Sequence, residues 1–520
     1  MSCSVILSVA KNLFLLLLPT VLSAQGAGDR ARLLLNRNDA LWLGSDNAAG
    51  LAFSAPAPFN IVDVGYSYGT GDHRLMQTGT SVGVLDFDTQ GALRVGKVQL
   101  WGRFRYDNTS DRGSSFNTLL YDPYDERFMY TAADTVAGHW KKQSYLMQFK
   151  AALPLGEHLS AGVYVDYNDR IVAGQIDPRA ESYNYSVTVR PGMTWHSGIG
   201  TFGLNGLYSN TFERSTPSIS NSQQTQNVYL LRGLGNWVGE QVGGGGLSTV
   251  YYRCNSWGGG LQYSYEAGWK LMADLGYKLH TTDIHESATQ PKPHGDTRRQ
   301  EAHAGITALF GDRLLHKLDL SADAAQTIGV EPTVQWNKDT GTWDVTYSVE
   351  QCKLLTAKAD LTYEAFILNG DTYNWHFSAA AGLDCKRDTY ALPASVFTYT
   401  NASVKLGGEY NHDFTGGSAL LVGATVSMVR NLDGKYEYNG HRTGTAPVRD
   451  LYPHNFSILS ADRIGTRLAA EFAFPVGKGT KLAFCAEGGF LFASCTDSSS
   501  PASITVRNRA EALGAVKLYF

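Results

Sequence analysis

The chain is built from short runs in which apolar and polar residues alternate. The last run shows this most clearly: Ala512, Gly514, Val516, Leu518 and Phe520 fall on one face, with Arg509, Glu511, Lys517 and Tyr519 on the other. A period of two residues indicates a β-strand with one apolar and one polar side. On its own, this run fits either an edge strand of a soluble sandwich or a strand in the wall of a membrane barrel.

About 18 such runs follow one another between Phe59 and Phe520. Their residue ranges are 61–68, 81–87, 98–106, 145–153, 159–168, 183–193, 202–209, 261–267, 271–280, 301–310, 317–324, 355–367, 373–385, 403–410, 419–428, 466–474, 481–492 and 509–520. No 20–50-residue motif recurs, which argues against propellers and solenoids.

The connections between these runs alternate in length. Turns such as 154–157 and 368–371 are short and contain Gly or Asn, whereas segments such as 107–144 and 210–257 are long. Outer-membrane barrels have this order, with short periplasmic turns and long extracellular loops. We therefore predict an all-β fold: a single antiparallel transmembrane β-barrel of about 18 strands (16 as the alternative), closed by pairing of 509–520 with 61–68.

Composition agrees with a barrel wall. Charged residues make up 18 % of the chain and mean hydropathy is −0.21, a near-neutral value expected when lipid-facing and lumen-facing residues alternate. The net charge of −4, without a basic face, argues against nucleic acid as a partner. Beyond the N-terminus no apolar stretch is long enough to span a bilayer as a helix.

The N-terminus resembles a secretory signal. Lys11 precedes an apolar run, and Ser23-Ala24-Gln25 supplies a small-residue cleavage site. An exported chain without a membrane helix can be integral only as a closed barrel. We predict a signal peptide at 1–24, a periplasmic or hatch segment at 25–58 with a short helix from Arg30 to Trp42, a barrel at 59–520, and location in the cell outer membrane.

Strand parity places charges of both signs on the inner face. The residues that we predict to face the lumen are Arg103, Arg105, Lys150, Asp166, Arg190, Asp274, Lys278, Lys358, Asp360, Glu364, Glu409, Arg467 and Glu471. They indicate either a polar pore or ligand cavity, or cross-strand pairs that brace the wall. Because neither sign dominates, strong anion or cation selectivity is not indicated.

Three other chemistries remain hypotheses. Cys352 and Cys385 lie equally far from the Asn369-Gly370 turn, so a disulfide would fit the spacing, although parity points the two side chains to opposite faces. Four histidines (His280, His285, His294 and His303) flank one loop, but their spacing matches no metal site. His376 and Ser378 share a face without an assignable acid. We expect no metal, no cofactor and no enzymatic activity.

Two resemblances extend this interpretation. A Ser-Ala-Gln signal end, many tyrosines and the terminal Phe resemble uncharacterised outer-membrane barrels of Bacteroidota-type bacteria, and Asn47-Ala48-Ala49-Gly50-Leu51 faintly resembles a segment of long-chain fatty-acid-transporter-like barrels. The terminal strand resembles the assembly signal of such barrels, which implies recognition of Val516, Leu518 and Phe520 by the barrel assembly machinery.

Two functions remain open. One is a porin-like channel or transporter for small polar solutes in a Gram-negative outer membrane, since a barrel of this size encloses a lumen. The other is a structural, assembly or receptor role, in which the barrel sits in outer-membrane lipid and its loops bind a surface or periplasmic protein.

Overall fold

The computed structural model describes residues 28–221, 223–496 and 504–520. The predicted signal peptide at 1–24 lies outside them. Twenty-one strands occur in the described residues, and eighteen of these pair in one closed antiparallel sheet. The wall strands are β1 (Phe59–Gly71), β2 (Ser81–Val95), β3 (Val98–Ser114), β5 (Gly138–Pro154), β6 (Leu159–Gly174), β7 (Arg179–Ser197), β8 (Gly200–Ser218), β11 (Val250–Glu266), β12 (Lys270–Glu286), β13 (Lys292–Phe310), β14 (Leu314–Asn337), β15 (Thr342–Asn369), β16 (Thr372–Tyr390), β17 (Ser395–Asp413), β18 (Ala419–Glu437), β19 (Asp462–Gly477), β20 (Thr480–Thr496) and β21 (Ile504–Tyr519).

The wall closes between its first and last strands. β21 pairs with both β20 and β1, and Ile61 lies opposite Tyr519 in the second of these pairings. The 18-strand barrel and its closing pair are therefore confirmed. Closure leaves no free sheet edge, which the bilayer requires because lipid cannot satisfy backbone hydrogen bonds.

The outer face of the wall is apolar. Leu204, Leu261 and Leu468 are 61 %, 57 % and 66 % exposed, although each lies within a wall strand. The residues beside them point inward, as strand geometry requires. An exposed apolar belt around a closed barrel is a lipid-facing surface. No helix among the described residues is long and apolar enough to cross a membrane.

The two ends of the barrel differ. At one end, which we call the turn end, neighbouring strands join through short turns such as 96–97 and 370–371. At the other, the loop end, connections reach the length of 115–137 and 219–249. This confirms the predicted alternation. Strands β14 and β15 run well past the others at the loop end, so most of the connection expected between the predicted runs 317–324 and 355–367 is a protruding hairpin.

Three short strands and the helices lie apart from the wall. β4 (Thr131–Ala133), β9 (Gln226–Gly233) and β10 (Asn236–Val242) form a small separate sheet in the loops. Helix α1 (Arg30–Asp39) precedes β1, and helix α2 (Tyr452–Leu459) lies between β18 and β19. The small sheet and α2 were not expected from the sequence.

Candidate functional site: a cavity inside the barrel

Residues 28–58, which we call the inner segment, pack against the inner face of the wall at the turn end. Asp29 caps helix α1 by accepting a hydrogen bond from the Arg32 amide at 3.1 Å. The same carboxylate pairs with Lys481 at 2.9 Å, and Arg32 pairs with Asp371 at 2.9 Å. Asp371 lies in a hairpin turn, and its hydrogen bond with Arg32 lowers the pKa of its carboxyl group. These contacts fix α1 to the turn end.

The remainder of the inner segment is anchored by buried polar side chains. Trp42 is fully buried, and its indole Nε1 donates to Ser264 Oγ at 2.9 Å. Asn47, also fully buried, donates from Nδ2 to Gln262 Oε1 at 2.9 Å, while its Oδ1 accepts from the Ala49 amide at 3.1 Å. Ser264 and Gln262 both lie on β11, on the face opposite exposed Leu261. The inner segment therefore lies inside the barrel.

Gly50 allows the inner segment to fold back on itself. A Cβ at this position would lie 1.8 Å from Trp42 Cδ2, so only glycine fits beneath the indole ring. Lys150 holds the same turn from the wall, donating to the carbonyl oxygens of Leu43 at 2.6 Å and Ser45 at 2.7 Å. The segment that carries Asn47 and Gly50 is thus shaped by packing inside the barrel.

Four connections fold over the loop end and form what we call the loop cap (residues 72–80, 115–137, 219–249 and 438–461, except 222). Its largest buried cluster joins Leu120 and Phe128 of one loop to Val228 of β9 and to Tyr252 of the wall. The Phe128 and Tyr252 rings are 5.2 Å apart. Helix α2 joins the cap through Asn455, whose Oδ1 accepts from the Met76 amide at 3.0 Å. The cap is thus a packed structure, held together by burial of apolar side chains.

One acidic group in the loop cap is strongly affected by its surroundings. Asp134 is 5 % exposed and accepts hydrogen bonds from Thr118 Oγ1 at 2.9 Å and from the Val136 amide at 2.6 Å. Burial outweighs these hydrogen bonds and raises the pKa of its carboxyl group to about 6. The cap therefore contains a carboxyl group that titrates close to neutral pH.

The loop cap reaches the wall cations through Glu126. Its Oε2 lies 2.8 Å from Arg299 Nη1, and its Oε1 lies 3.0 Å from Lys386 Nζ. Arg299 belongs to β13 and Lys386 to β16, so a single loop carboxylate joins two separate parts of the wall. The backbone beside it is also fixed, because Thr297 Oγ1 donates to the Arg127 carbonyl oxygen at 2.6 Å.

A cavity of about 740 Å³ lies between the inner segment and the loop cap. Asp46 of the inner segment and Glu126 of the loop cap both line it. The wall adds charges of both signs and one histidine: Asp274, Lys278, Arg299, Glu301, His303, Asp323, Lys358, Asp384 and Lys386. His303 contacts Asp274 at 2.9 Å and Asp323 at 2.7 Å. Such a lining suits a polar solute bound by several hydrogen bonds.

The thirteen residues predicted to face the lumen all lie on strand faces opposite apolar side chains. Asp274, Lys278 and Lys358 line the 740 Å³ cavity, and Arg103 and Lys150 line a smaller one near α1. The others are engaged in pairs along the wall or with α1: Arg105 with Asp107, Asp166 with Arg190, Asp360 with Lys358, Glu364 with His376, Glu409 with Arg30, Arg467 with Glu487 and Glu471 with Tyr519. Some of these charged residues therefore line a cavity, whereas others pair with neighbours and brace the wall. Both roles considered in the sequence analysis stay possible.

Several cavity residues were missed by the sequence prediction. Arg299 and Lys386 lie beyond the strand limits that we predicted for β13 and β16, and Glu126 lies in a loop. Strand parity, extended a few residues toward the loop end, would have placed Arg299 and Lys386 inward. Nothing in the sequence indicates that Glu126 meets them.

The disulfide hypothesis is wrong. Cys352 lies opposite Tyr390 and Cys385 lies opposite Ala357, so the two cysteines are not neighbours on the adjacent strands. Cys352 is buried with its thiol donating to the Arg232 carbonyl oxygen at 2.9 Å, and both cysteines are free. The strands simply pair in a register that keeps the two side chains on opposite faces.

The histidines noted in the sequence each have a carboxylate partner. His294 contacts Glu286 at 3.2 Å, and His285 contacts Asp283 at 2.8 Å. His376 lies between Glu364 at 3.0 Å and Glu409 at 3.3 Å and stacks on Phe366. Within the part of the chain that the structure describes, no three His, Cys, Asp or Glu side chains are grouped to hold a metal.

Comparison with known protein families shows to which family this chain belongs. A model described as "Family of unknown function (DUF6850)" matches residues 48–520. The chain belongs to this family. The match begins within the inner segment, so the DUF6850 unit includes the end of that segment as well as the whole wall. The comparison with curated proteins gave no match.

Solved structures similar to this DUF6850 chain are outer-membrane receptors, transporters and channels. The FrpB iron transporter from Neisseria meningitidis has 9 % identity and a TM-score of 0.39, with 88 % of this chain and 81 % of that chain covered. The ferric preacinetobactin receptor BauA from Acinetobacter baumannii has 11 % identity and a TM-score of 0.35, with 89 % and 80 % covered. A mutant of the monoaromatic hydrocarbon channel TodX has 11 % identity and a TM-score of 0.32, with 96 % and 98 % covered.

The DUF6850 chain is an integral barrel of the bacterial outer membrane. Its closed wall and apolar outer face are the features that this membrane requires of a spanning chain. The resemblances to Bacteroidota barrels and to long-chain fatty-acid transporters stay predictions.

Proposed function

We propose that this barrel is a gated transporter for small polar solutes, with the 740 Å³ cavity as its solute chamber. The observation that carries the proposal is the position of Glu126, which closes the chamber on the loop side by pairing with Arg299 and Lys386. An ion pair between a loop and a wall can break and re-form, because a partly solvated pair contributes only modestly to stability. Such a contact suits a gate better than a permanent seal.

The orientation follows from the two ends. Long loops face the cell exterior and short turns face the periplasm in outer-membrane barrels. The loop cap is then the outer barrier and the inner segment the periplasmic one, in line with the hatch role predicted from the sequence for residues 25–58. The mixed charges of the chamber favour neutral or zwitterionic polar solutes over strongly charged ones.

Solute release from liposomes tests this function. The wild-type barrel is compared with a variant in which residues 117–130 are replaced by a short Gly/Ser linker, after both have been shown to insert equally. We expect slow release of a small sugar from wild-type liposomes and fast release from the variant. Equal, slow release from both would refute a gated chamber.

A receptor role is the second candidate, and one observation favours it. The β14–β15 hairpin carries Val345 and Tyr347, which are 50 % and 63 % exposed beyond the apolar belt. Exposed apolar side chains in water can mark a surface for protein partners. A stoichiometric surface protein captured by the wild type, but not by a variant with V345S and Y347S, would support this role over transport.

A further inference from the structure

A second cavity lies at the turn end, between helix α1 and the wall. Its volume is about 430 Å³, within the usual range for small-molecule sites. It meets the solute chamber at Leu41, Gly44, Asp46 and Thr307, which line both cavities. The turn-end cavity differs from the chamber in the balance of charges along its lining.

Positive groups outnumber negative ones in the lining of the turn-end cavity. Arg37, Arg103, Lys150 and Lys317 face Asp46 and Asp319. Lys317 pairs with Asp319 at 2.9 Å, Arg103 pairs with Asp88, and Asp46 pairs with Arg190 at 3.4 Å. Neither Arg37 nor Lys150 has a carboxylate within 4.0 Å among the described residues. Two cations therefore remain without a counter-charge.

Lys150 makes this surplus costly. Lys150 is 3 % exposed, and among the described residues its ammonium group has only the carbonyl oxygens of Leu43 and Ser45 as acceptors. The ammonium also lies over the rings of Tyr164 at 4.5 Å and Trp101 at 5.7 Å. These groups stabilise the charge in part, but a buried cation is normally matched by an anion.

Two buried N–H groups of the same lining also lack partners. Trp101 and Asn38 are each 8 % exposed. Trp101 Nε1 and Asn38 Nδ2 have no hydrogen-bond acceptor among the residues that the structure describes. Buried donors without an acceptor are rare and costly, and they call for a ligand or ordered solvent. Together with the charges of Arg37 and Lys150, which have no carboxylate partner, they make a set of donors suited to an anion.

We propose that the turn-end cavity binds a small oxyanion, a carboxylate or phosphate group, through Arg37, Lys150 and the N–H donors of Trp101 and Asn38. Charge-assisted hydrogen bonds from such donors are stronger than bonds between neutral groups. The bound anion neutralises Lys150 and joins α1, which carries Arg37 and Asn38, to the wall, which carries Trp101 and Lys150. This binding does not depend on transport through the chamber.

Calorimetric titration of the purified full-length barrel in detergent tests the proposal. The probes are inorganic phosphate and succinate, at constant ionic strength, with choline chloride as the reference. We expect the wild type to bind at least one of the two oxyanions and not choline. Binding of phosphate alone, or of succinate alone, identifies the type of anion. No heat from either oxyanion overturns the proposal.

Two pairs of substitutions locate the binding. R37Q with W101F removes one free charge and one donor while keeping an aromatic ring at position 101, and we expect binding at least about tenfold weaker. The control pair R94Q and W269F changes the same residue types at the turn end, where Arg94 is exposed and Trp269 is 45 % exposed outside the cavity. We expect no change there.

Equal binding by both pairs of variants would place the anion elsewhere and refute the site. Because R37Q with W101F alters packing at the inner segment, each variant is first compared with the wild type in thermal unfolding. If this pair unfolds early, W101F alone is titrated, since it removes only the indole N–H donor and part of the ring. Wild-type affinity in W101F and in R37Q separately would again refute the site.

Discussion

Glu126 of the loop cap lies 2.8 Å from Arg299 of the wall, although 173 residues separate them in the chain. The same carboxylate contacts Lys386 on the other side. A loop that touched only one strand could shift with it, but a carboxylate shared by β13 and β16 holds the loop across part of the lumen. In the proposed transporter, this is the contact that must break for the solute chamber to open toward the loop end.

Removing the charge of Glu126 should open the chamber more often. E126Q keeps the size of the side chain but loses both ion pairs, which we expect to shift the closed–open equilibrium by about 1.5 kcal/mol, or roughly tenfold. Single-channel recording in planar bilayers measures the open fraction. E240Q is the control, because Glu240 lies in the loop cap with no ion pair in the described structure. An unchanged open fraction in E126Q would mean that this contact is not the gate.

The ion pair between Asp29 and Lys481 should hold the inner segment in place. K481Q leaves the Asp29 side chain, which is 3 % exposed, with Arg32 as its remaining charged partner. Breaking a buried ion pair costs several kcal/mol, but Arg32 still pairs with Asp29 and offsets part of that cost. We therefore expect hydrogen exchange in α1 to become about ten times faster. K478Q, in the turn just before β20, should exchange like the wild type. Faster exchange throughout the wall would contradict a local role.

Gly50 should tolerate no side chain. G50A places a methyl group against the Trp42 indole, and overpacking of this kind costs about 1–3 kcal/mol. We expect limited proteolysis to cut the inner segment of G50A while the wall stays intact. In G44A the nearest atom would be 3.8 Å from the new Cβ, an ordinary contact, so this variant should resist cleavage. Similar cleavage of both variants would argue against packing beneath the indole.

Asp134 should make the loop cap more stable as the pH falls from about 6 toward 4. Burial raises the pKa of its carboxyl group to about 6, so in this range the folded cap binds a proton that the unfolded loop does not. Stability gained in acid is therefore lost as the pH rises through 6. D134N should remove this part of the pH dependence and protect the cap at pH 7.5. Exchange rates of residues 115–137, corrected for intrinsic pH effects and compared between D134N and wild type, measure it.

The terminal residue should matter for assembly more than for the finished wall. Phe520 exchanges backbone hydrogen bonds with Asn60 at 3.0 and 3.4 Å, and these do not depend on its side chain. If Val516, Leu518 and Phe520 form the predicted assembly signal, F520A should slow insertion in cells while the inserted barrel unfolds at the wild-type temperature. Leu513, on the other face of β21, supplies the control L513A. Normal insertion of F520A would remove the terminal residue from the signal.

The wall was predictable because lipid imposes a simple rule on it. Where a strand crosses the membrane, every second side chain meets hydrocarbon, and the alternation in residues such as Val516 and Leu518 records this directly. Sixteen of the 18 predicted runs lie wholly within the observed wall strands, and the other two, 261–267 and 509–520, extend one residue past them. Past the apolar belt that rule no longer applies, and for this reason the protruding part of β14 and β15 was mistaken for a loop.

The interior was much less predictable. β4 has three residues, all buried, and lies in a stretch without alternation because both of its faces pack against protein. Glu126 pairs with Arg299, 173 residues away, and Asp29 pairs with Lys481, 452 residues away. Neither composition nor local pattern can predict such distant pairs. In the sequence, Trp42 and Asn47 are only an aromatic and a polar residue before the first strand. Their buried contacts with Ser264 and Gln262 exist only once the wall has closed.

The loop cap and the inner segment lie at opposite ends of the barrel, with the 740 Å³ chamber between them. The loop cap and the inner segment would then act as two barriers in series. If each opened independently about 1 % of the time, both would be open only about 0.01 % of the time. In the proposed transporter, solute would then cross one chamberful at a time and the lumen would rarely be open from end to end, which a single barrier at either end would not ensure.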